Sequence, residues 1–214
     1  MVRGKGWNGD AGPAAGSIRG MAEARKQREG WTNMIDMAPR LRQHLVTMEV
    51  PFAPKRHRPT STASETAEAA HVPGAKLVKA VLVRDGQGLL LAVLASTHHI
   101  DFDLLKRALG RQLELVPEPE ISDVFFDCAE GAVPAFGAVY GVPVVMDTAL
   151  LGHDELFVEA GDHRHVVGLK TKDFIRLMRH ARRASFAVAG PVHASEPAAE
   201  PSAPHTTSEE VGNA

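Results

Sequence analysis

One lysine and one short loop carry the first chemical signal in this chain. Lys79 stands at the entrance of an apolar, β-branched run, Lys79-Ala-Val-Leu-Val83, which reads as a strand buried on at least one face. Residues 131–137, Gly-Ala-Val-Pro-Ala-Phe-Gly, form a segment too irregular for a helix or a ladder strand. Gly131 and Gly137 can take positive φ or let a ligand approach bare backbone, and Pro134 fixes φ and withholds a donor. A lysine facing a stiff loop of exposed amides suits holding a carbonyl or carboxylate better than it suits redox or metal chemistry. The plainer alternatives are a strand-end lysine reaching for water and an ordinary tight connection.

Other side chains narrow the options. Cys128 is the only cysteine, so an intramolecular disulfide and a cysteine-based zinc site are both excluded. Following Asp127 at a helix end, it reads as an inert thiol rather than a nucleophile. Among eleven histidines, His98-His99 and His163-x-His165 are the only local pairs. Only the second has the strand spacing that puts two rings on one face. No third ligand is tied to it by sequence, so no metal or other cofactor is expected. There is neither a G-x-G-x-x-G nor a Walker loop, which argues against dinucleotide or NTP binding. Arg176, Arg179, Arg182 and Arg183 have partly helical spacing, giving a basic face for phosphates or for solvent.

The elements that position these residues follow from pattern. Leu41, Leu45 and Met48 mark one face of a short helix ended by Pro51 and Pro54. Thr62-Ala-Ser-Glu65 is a capping-box pattern that opens a helix over 63–70. Residues 76–84 and 89–94 read as two strands joined by the Asp85-Gly86-Gln87-Gly88 turn, hence antiparallel. Asp101 opens a helix over 102–109 closed by Gly110, and a smaller helix is expected over 120–126. Strands are expected over 142–146, 155–160 and 165–169, with a last helix over 172–181. The fold class that results is α/β: a single domain with a mixed, largely antiparallel sheet flanked by short helices.

Composition agrees with one domain carrying tails. An apolar content of 44% supports a core, and the net charge is -2. Residues 1–36 hold six basic and four acidic side chains and lack periodicity; they read as a flexible extension. Residues 189–214 hold four glutamates and no Lys or Arg, and read as a disordered tail. That leaves 37–188 as the domain, formally neutral and without the basic excess of a dedicated nucleic-acid binder. No apolar run is long enough for a membrane span, and no secretory h-region is present, so a cytoplasmic protein is expected. No pattern specifies an oligomeric state.

Taken in order, these motifs resemble the YbaK / prolyl-tRNA-synthetase-associated domain family. The resemblance rests on the 60–70 helix ahead of Val72-Pro-Gly74 and on the Lys79-Ala-Val-Leu-Val83 and Leu91-Ala-Val-Leu94 strands. It continues through Ile100-Asp-Phe-Asp-Leu-Leu105, the 131–137 loop, Val158-Glu-Ala-Gly161, and Asp173-Phe174 with Leu177. It implies a hydrolase that cleaves the ester between a mistaken amino acid and the 3′ end of a tRNA. The family's strand lysine matches Lys79 rather than Lys76, as the catalytic residue. Its Gly-x-x-Pro substrate loop matches Gly131, Ala132, Val133 and Pro134, with Phe136 and Gly137 following; Ala135 stands where many relatives carry a second proline. Gly161, Asp162 and His165 are placed at the substrate by the late glycine turn. The implied partners are the aminoacyl-tRNA 3′ end and an aminoacyl-tRNA synthetase. An aminoacyl ester is already activated, and no Ser-His-Asp set is apparent, so positioning and oxyanion stabilisation suffice without an acyl-enzyme. The competing reading is a non-catalytic module that uses the same pocket for a nucleotide end, a small ligand or a protein partner.

Overall fold

The computed structural model describes residues 37–190; the two expected tails otherwise lie outside the described residues. The architecture grows from its longest hairpin. Strands β2 (Leu77–Asp85) and β3 (Gly88–Ala95) pair antiparallel from Val78↔Ala95 to Asp85↔Gly88. The turn is held by the Gln87 N–H donating to Asp85 Oδ1 at 2.8 Å. Residues 90–95 of β3 are all buried, as a continuous apolar run requires of a strand covered on both faces.

Around this hairpin an eight-stranded mixed sheet runs in the order β1-β8-β7-β2-β3-β6-β9, with β5 added to β2. Its other members are β1 (Ala53–Arg56), β5 (Glu114–Leu115), β6 (Val144–Asp147), β7 (Glu155–Glu159), β8 (His165–Lys170) and β9 (Arg182–Ala184). Pairings β1/β8, β7/β8, β2/β3 and β2/β5 are antiparallel; β2/β7, β3/β6 and β6/β9 are parallel. Strands β4 (His98–Ile100) and β10 (Ala187–Ala189) form a separate antiparallel pair.

Among the described residues, five helices flank the sheet: α1 (Pro39–Thr47), α2 (Ala63–Ala69), α3 (Phe102–Leu109), α4 (Glu118–Val124) and α5 (Thr171–Leu177). The main apolar cluster joins Leu41 and Leu45 of α1 and Phe174 of α5 to Leu82, Leu91 and Val93 of the sheet. A second cluster packs Leu105 of α3 and Phe186 against Leu90, Ala92, Leu94 and Val145. Strand neighbours 90 and 91, or 92 and 93, thus fall in different clusters, as a period of two demands. Both capping devices form as their residues predict. Thr62 accepts from the Glu65 N–H while Glu65 accepts from the Thr62 N–H, and Gly110 closes α3 in the left-handed conformation at φ 71°.

Two expectations need correction, and two features carried none. Lys55 and Arg56 lie in β1, an edge strand whose charged residues blunt an open ladder. Helix α4 starts two residues early because Pro119 sits in its first turn, where a missing N–H costs nothing. Helix α5 ends at Leu177, so Arg182 and Arg183 lie on β9 and not on a helical face with Arg176. Parallel pairing with β6 and the Arg182 guanidinium donating to the Ala108 carbonyl oxygen fix that course. The other unforeseen feature is Asp147, 2% exposed, whose Oδ2 accepts the Phe186 and Ala187 N–H groups and so positions the β9–β10 connection.

Candidate active site

The β2/β7 pairing is brief. Leu77 faces Phe157 and Val78 faces Val158; β7 then ends at Glu159. Continuing that parallel register one step sets Lys79 beside Glu159, and residues side by side on neighbouring strands point to the same face. Where the strands part, a cleft of about 200 Å³ opens. Its walls are Lys79 and Ala80 of β2, Thr62 and Thr66 at the start of α2, Gly131 and Val133 of the loop, Glu159 and His163.

The lysine and the glycine–proline segment therefore meet across one cavity. Lys79 is half-buried and opposite Leu94 of β3. Gly131 has φ 77°, a conformation that a side chain would strain, and a β-carbon there would approach His163 at 3.7 Å. The Ala132 N–H donates to the Ala129 carbonyl at 2.9 Å, so that amide is spent within the turn. Gly131 and Val133 are the members of the segment at the cleft wall.

The rest of the segment goes inward. Pro134 is buried, and Phe136, 1% exposed, packs with Phe174 at a ring separation of 5.6 Å and with His44 at 6.1 Å. A β-carbon on Gly137 would stand 2.7 Å from the Val142 carbonyl oxygen, so this glycine is required by close backbone approach. These three residues support the loop from the core side and do not line the cleft.

The late turn divides similarly. Gly161, at φ 97°, lies against Ala38 and Cys128, where a β-carbon would come within 2.7 Å of the alanine β-carbon. Asp162 Oδ1 accepts the N–H groups of Arg164 and His165, each at 2.9 Å, while its Oδ2 receives His165 Nδ1 at 2.5 Å. His165 is buried on β8, so it and Asp162 lock the turn instead of lining the cleft. His163, in a left-handed conformation at φ 57°, is the histidine that reaches the cavity. Its Nε2–H donates to the Glu130 carbonyl at 2.6 Å and ties the turn to the loop. Because His163 belongs to a turn and not to a strand, the spacing argument that would pair its ring with His165 does not apply.

Glu159 escaped the sequence reading. Burial pushes its carboxyl above the ordinary carboxylate value, opposed by the charge of His163 and by N–H donation from His163 and Gly161. The signal available was an acid closing an otherwise alternating strand, Glu155-Leu-Phe-Val-Glu159, with Leu156 and Val158 fully buried. Cys128 offers no nucleophile: burial pushes its thiol up to about 12, and its Sγ lies 3.3 Å from the Tyr140 hydroxyl. The Thr62 and Thr66 hydroxyls are engaged in capping α2 and in bonds to neighbouring oxygens.

Lys79, Glu159, His163 and the left-handed backbone at Gly131 thus gather around one small cleft. Residues 57–177 match the model of the aminoacyl-tRNA editing domain, and the chain belongs to that family. Solved structures share the fold. One, of a candidate trans-editing enzyme for prolyl tRNA synthetase, is 23% identical with a TM-score of 0.61, covering 71% of this chain and 97% of that one. A hypothetical protein is 17% identical with a TM-score of 0.62, covering 70% and 99%. A candidate signal transduction protein from Marinobacter aquaeolei VT8 is 24% identical with a TM-score of 0.58; the match covers 70% of this chain and 30% of that one. No curated protein matches significantly. Among the described residues, no helix is long and apolar enough to cross a membrane.

Proposed function

We propose that this domain hydrolyses the ester of a mischarged aminoacyl-tRNA, acting in trans on the tRNA 3′ end. The observation that carries the reading is the single cleft shared by Lys79, Gly131 and Val133 in a chain of the editing family. Water attacks the ester carbonyl, the carbonyl oxygen becomes an oxyanion, and collapse releases the amino acid and the free ribose hydroxyl. Lys79 supplies a fixed positive charge to the carbonyl oxygen or to the terminal phosphate. Backbone at Gly131 and Val133 grips the acyl group, while Pro134 and Phe136 hold that backbone stiff from behind. As the family resemblance implies, the substrate's vicinal hydroxyl helps to activate the water.

The small cleft favours small acyl groups; alanine, cysteine and serine esters are the first to test. Purified protein incubated with a panel of charged tRNAs releases amino acid from at least one of them, and Lys79→Ala removes about 100- to 1000-fold of that rate, the usual cost of losing one oxyanion donor. An unchanged rate in the mutant defeats the role given to Lys79. Absence of hydrolysis across the panel, with saturable binding weakened by Gly131 substitution, supports the non-catalytic module instead.

A further inference from the structure

The wall opposite the loop carries a feature that ester hydrolysis by itself does not require. Glu159 closes β7 at the cleft, largely buried, with Oε1 accepting the His163 N–H at 3.2 Å. A turn of this kind is capped equally well by Ser, Thr or Asn, which carry no charge to bury. Placing a carboxylate there costs desolvation that a neutral cap avoids. Carried one step past its last pair, Val78↔Val158, the strand register puts Lys79 next to it on the same face. The cleft thus presents opposite charges side by side, the pattern complementary to a group that is cationic at one atom and oxyanionic three bonds away. An α-amino ester in its transition state has that pattern: an ammonium on the carbon next to the reacting carbonyl.

Resting on the editing reading above, we infer that Glu159 is the receptor for the α-ammonium group of the aminoacyl ester, and that the cleft selects acyl groups with a free amine. Charged groups around it are Lys79 on β2 and Asp162 and His163 in the turn that follows β7. The Gly161 and His163 N–H groups hold the carboxylate in place, so the receptor is preorganised instead of being assembled by the substrate.

The test compares three esters on the same tRNA: the free aminoacyl ester, its N-acetyl derivative and the α-hydroxyacyl analogue in which OH replaces the amine. Wild-type protein is expected to hydrolyse the free ester roughly 10- to 100-fold faster, in kcat/KM, than either analogue, the worth of one charge-assisted hydrogen bond. Glu159→Gln keeps an oxygen for the His163 N–H and so keeps the turn; it is expected to shrink the preference to within about threefold, chiefly by slowing the free ester. Glu159→Asp, shorter but still anionic, is expected to retain part of the preference. Equal rates on all three esters with wild-type protein overturn the inference while leaving editing intact. A preference that survives in Glu159→Gln shows that Glu159 only caps its turn. If wild-type protein hydrolyses none of the esters, the editing reading falls and this inference with it.

Discussion

Within the seven residues 131–137, Gly131 and Val133 live in different surroundings from the last four. Gly131 and Val133 reach the cleft beside Lys79, whereas Pro134 is buried, Phe136 packs with Phe174 and His44, and Gly137 lies against the Val142 carbonyl. A sequence motif read as one substrate loop is physically a cleft wall followed by its foundation. Substitutions in the two parts should therefore fail in different currencies, the first in catalysis and the second in stability.

The largest effects are expected in the foundation. Phe136→Ala empties a fully buried ring site and should cost about 3–5 kcal/mol of unfolding free energy, read from denaturant midpoints. Gly137→Ala should cost about 1–3 kcal/mol by forcing the Val142 carbonyl and the Val144 side chain away from a new methyl group. At the wall, Gly131→Ala meets no close atom, so its expense is the left-handed backbone alone, about 1–2 kcal/mol. Deacylation should fall by more than that loss of stability explains. A Gly131→Ala protein as active as wild type would erase the distinction. His163→Ala removes the tie to the Glu130 carbonyl and should cost about 0.5–1.5 kcal/mol, with KM raised more than kcat is lowered.

The smallest expected effect concerns pH and lies outside both parts. His57 is buried with Nδ1 donating to the Arg58 carbonyl, and its Nε2 has no hydrogen-bond partner among the described residues. Burial is the main cause holding its pKa below 6.5. The unfolded chain then binds the proton first, so His57 withdraws stability as pH falls through 6.5 and is neutral in effect above it. Melting temperature should drop over that interval in wild type and drop less in His57→Asn.

What could be read in advance follows the same division between local and distant causes. The Thr62–Glu65 box, the Asp85–Gly88 turn and the Gly110 stop each depend on residues within a few positions, and each formed where its chemistry put it. Strands β9 and β10 had no such local signature. They are fixed by the Asp147 carboxylate and by pairing with β6 and β4, contacts that no window of ten residues contains. At the cleft, Lys79 and Gly131 were legible from type and punctuation. Glu159 was not, because its place at the cleft comes from a parallel register with β2 that sequence spacing does not encode. His163 was hidden for a second reason: its left-handed turn breaks the strand alternation by which the neighbouring His165 attracted attention.

The parallel alignment of β2 with β7 has a bearing on when this chain becomes capable of acting. Strands β3 to β6 intervene in the sequence, so the two walls of the cleft meet only after most of the domain has been made and folded, and such distant pairings close late. A polypeptide interrupted before β7 owns the lysine and the loop but lacks Glu159 and His163, so its cleft has only part of its wall.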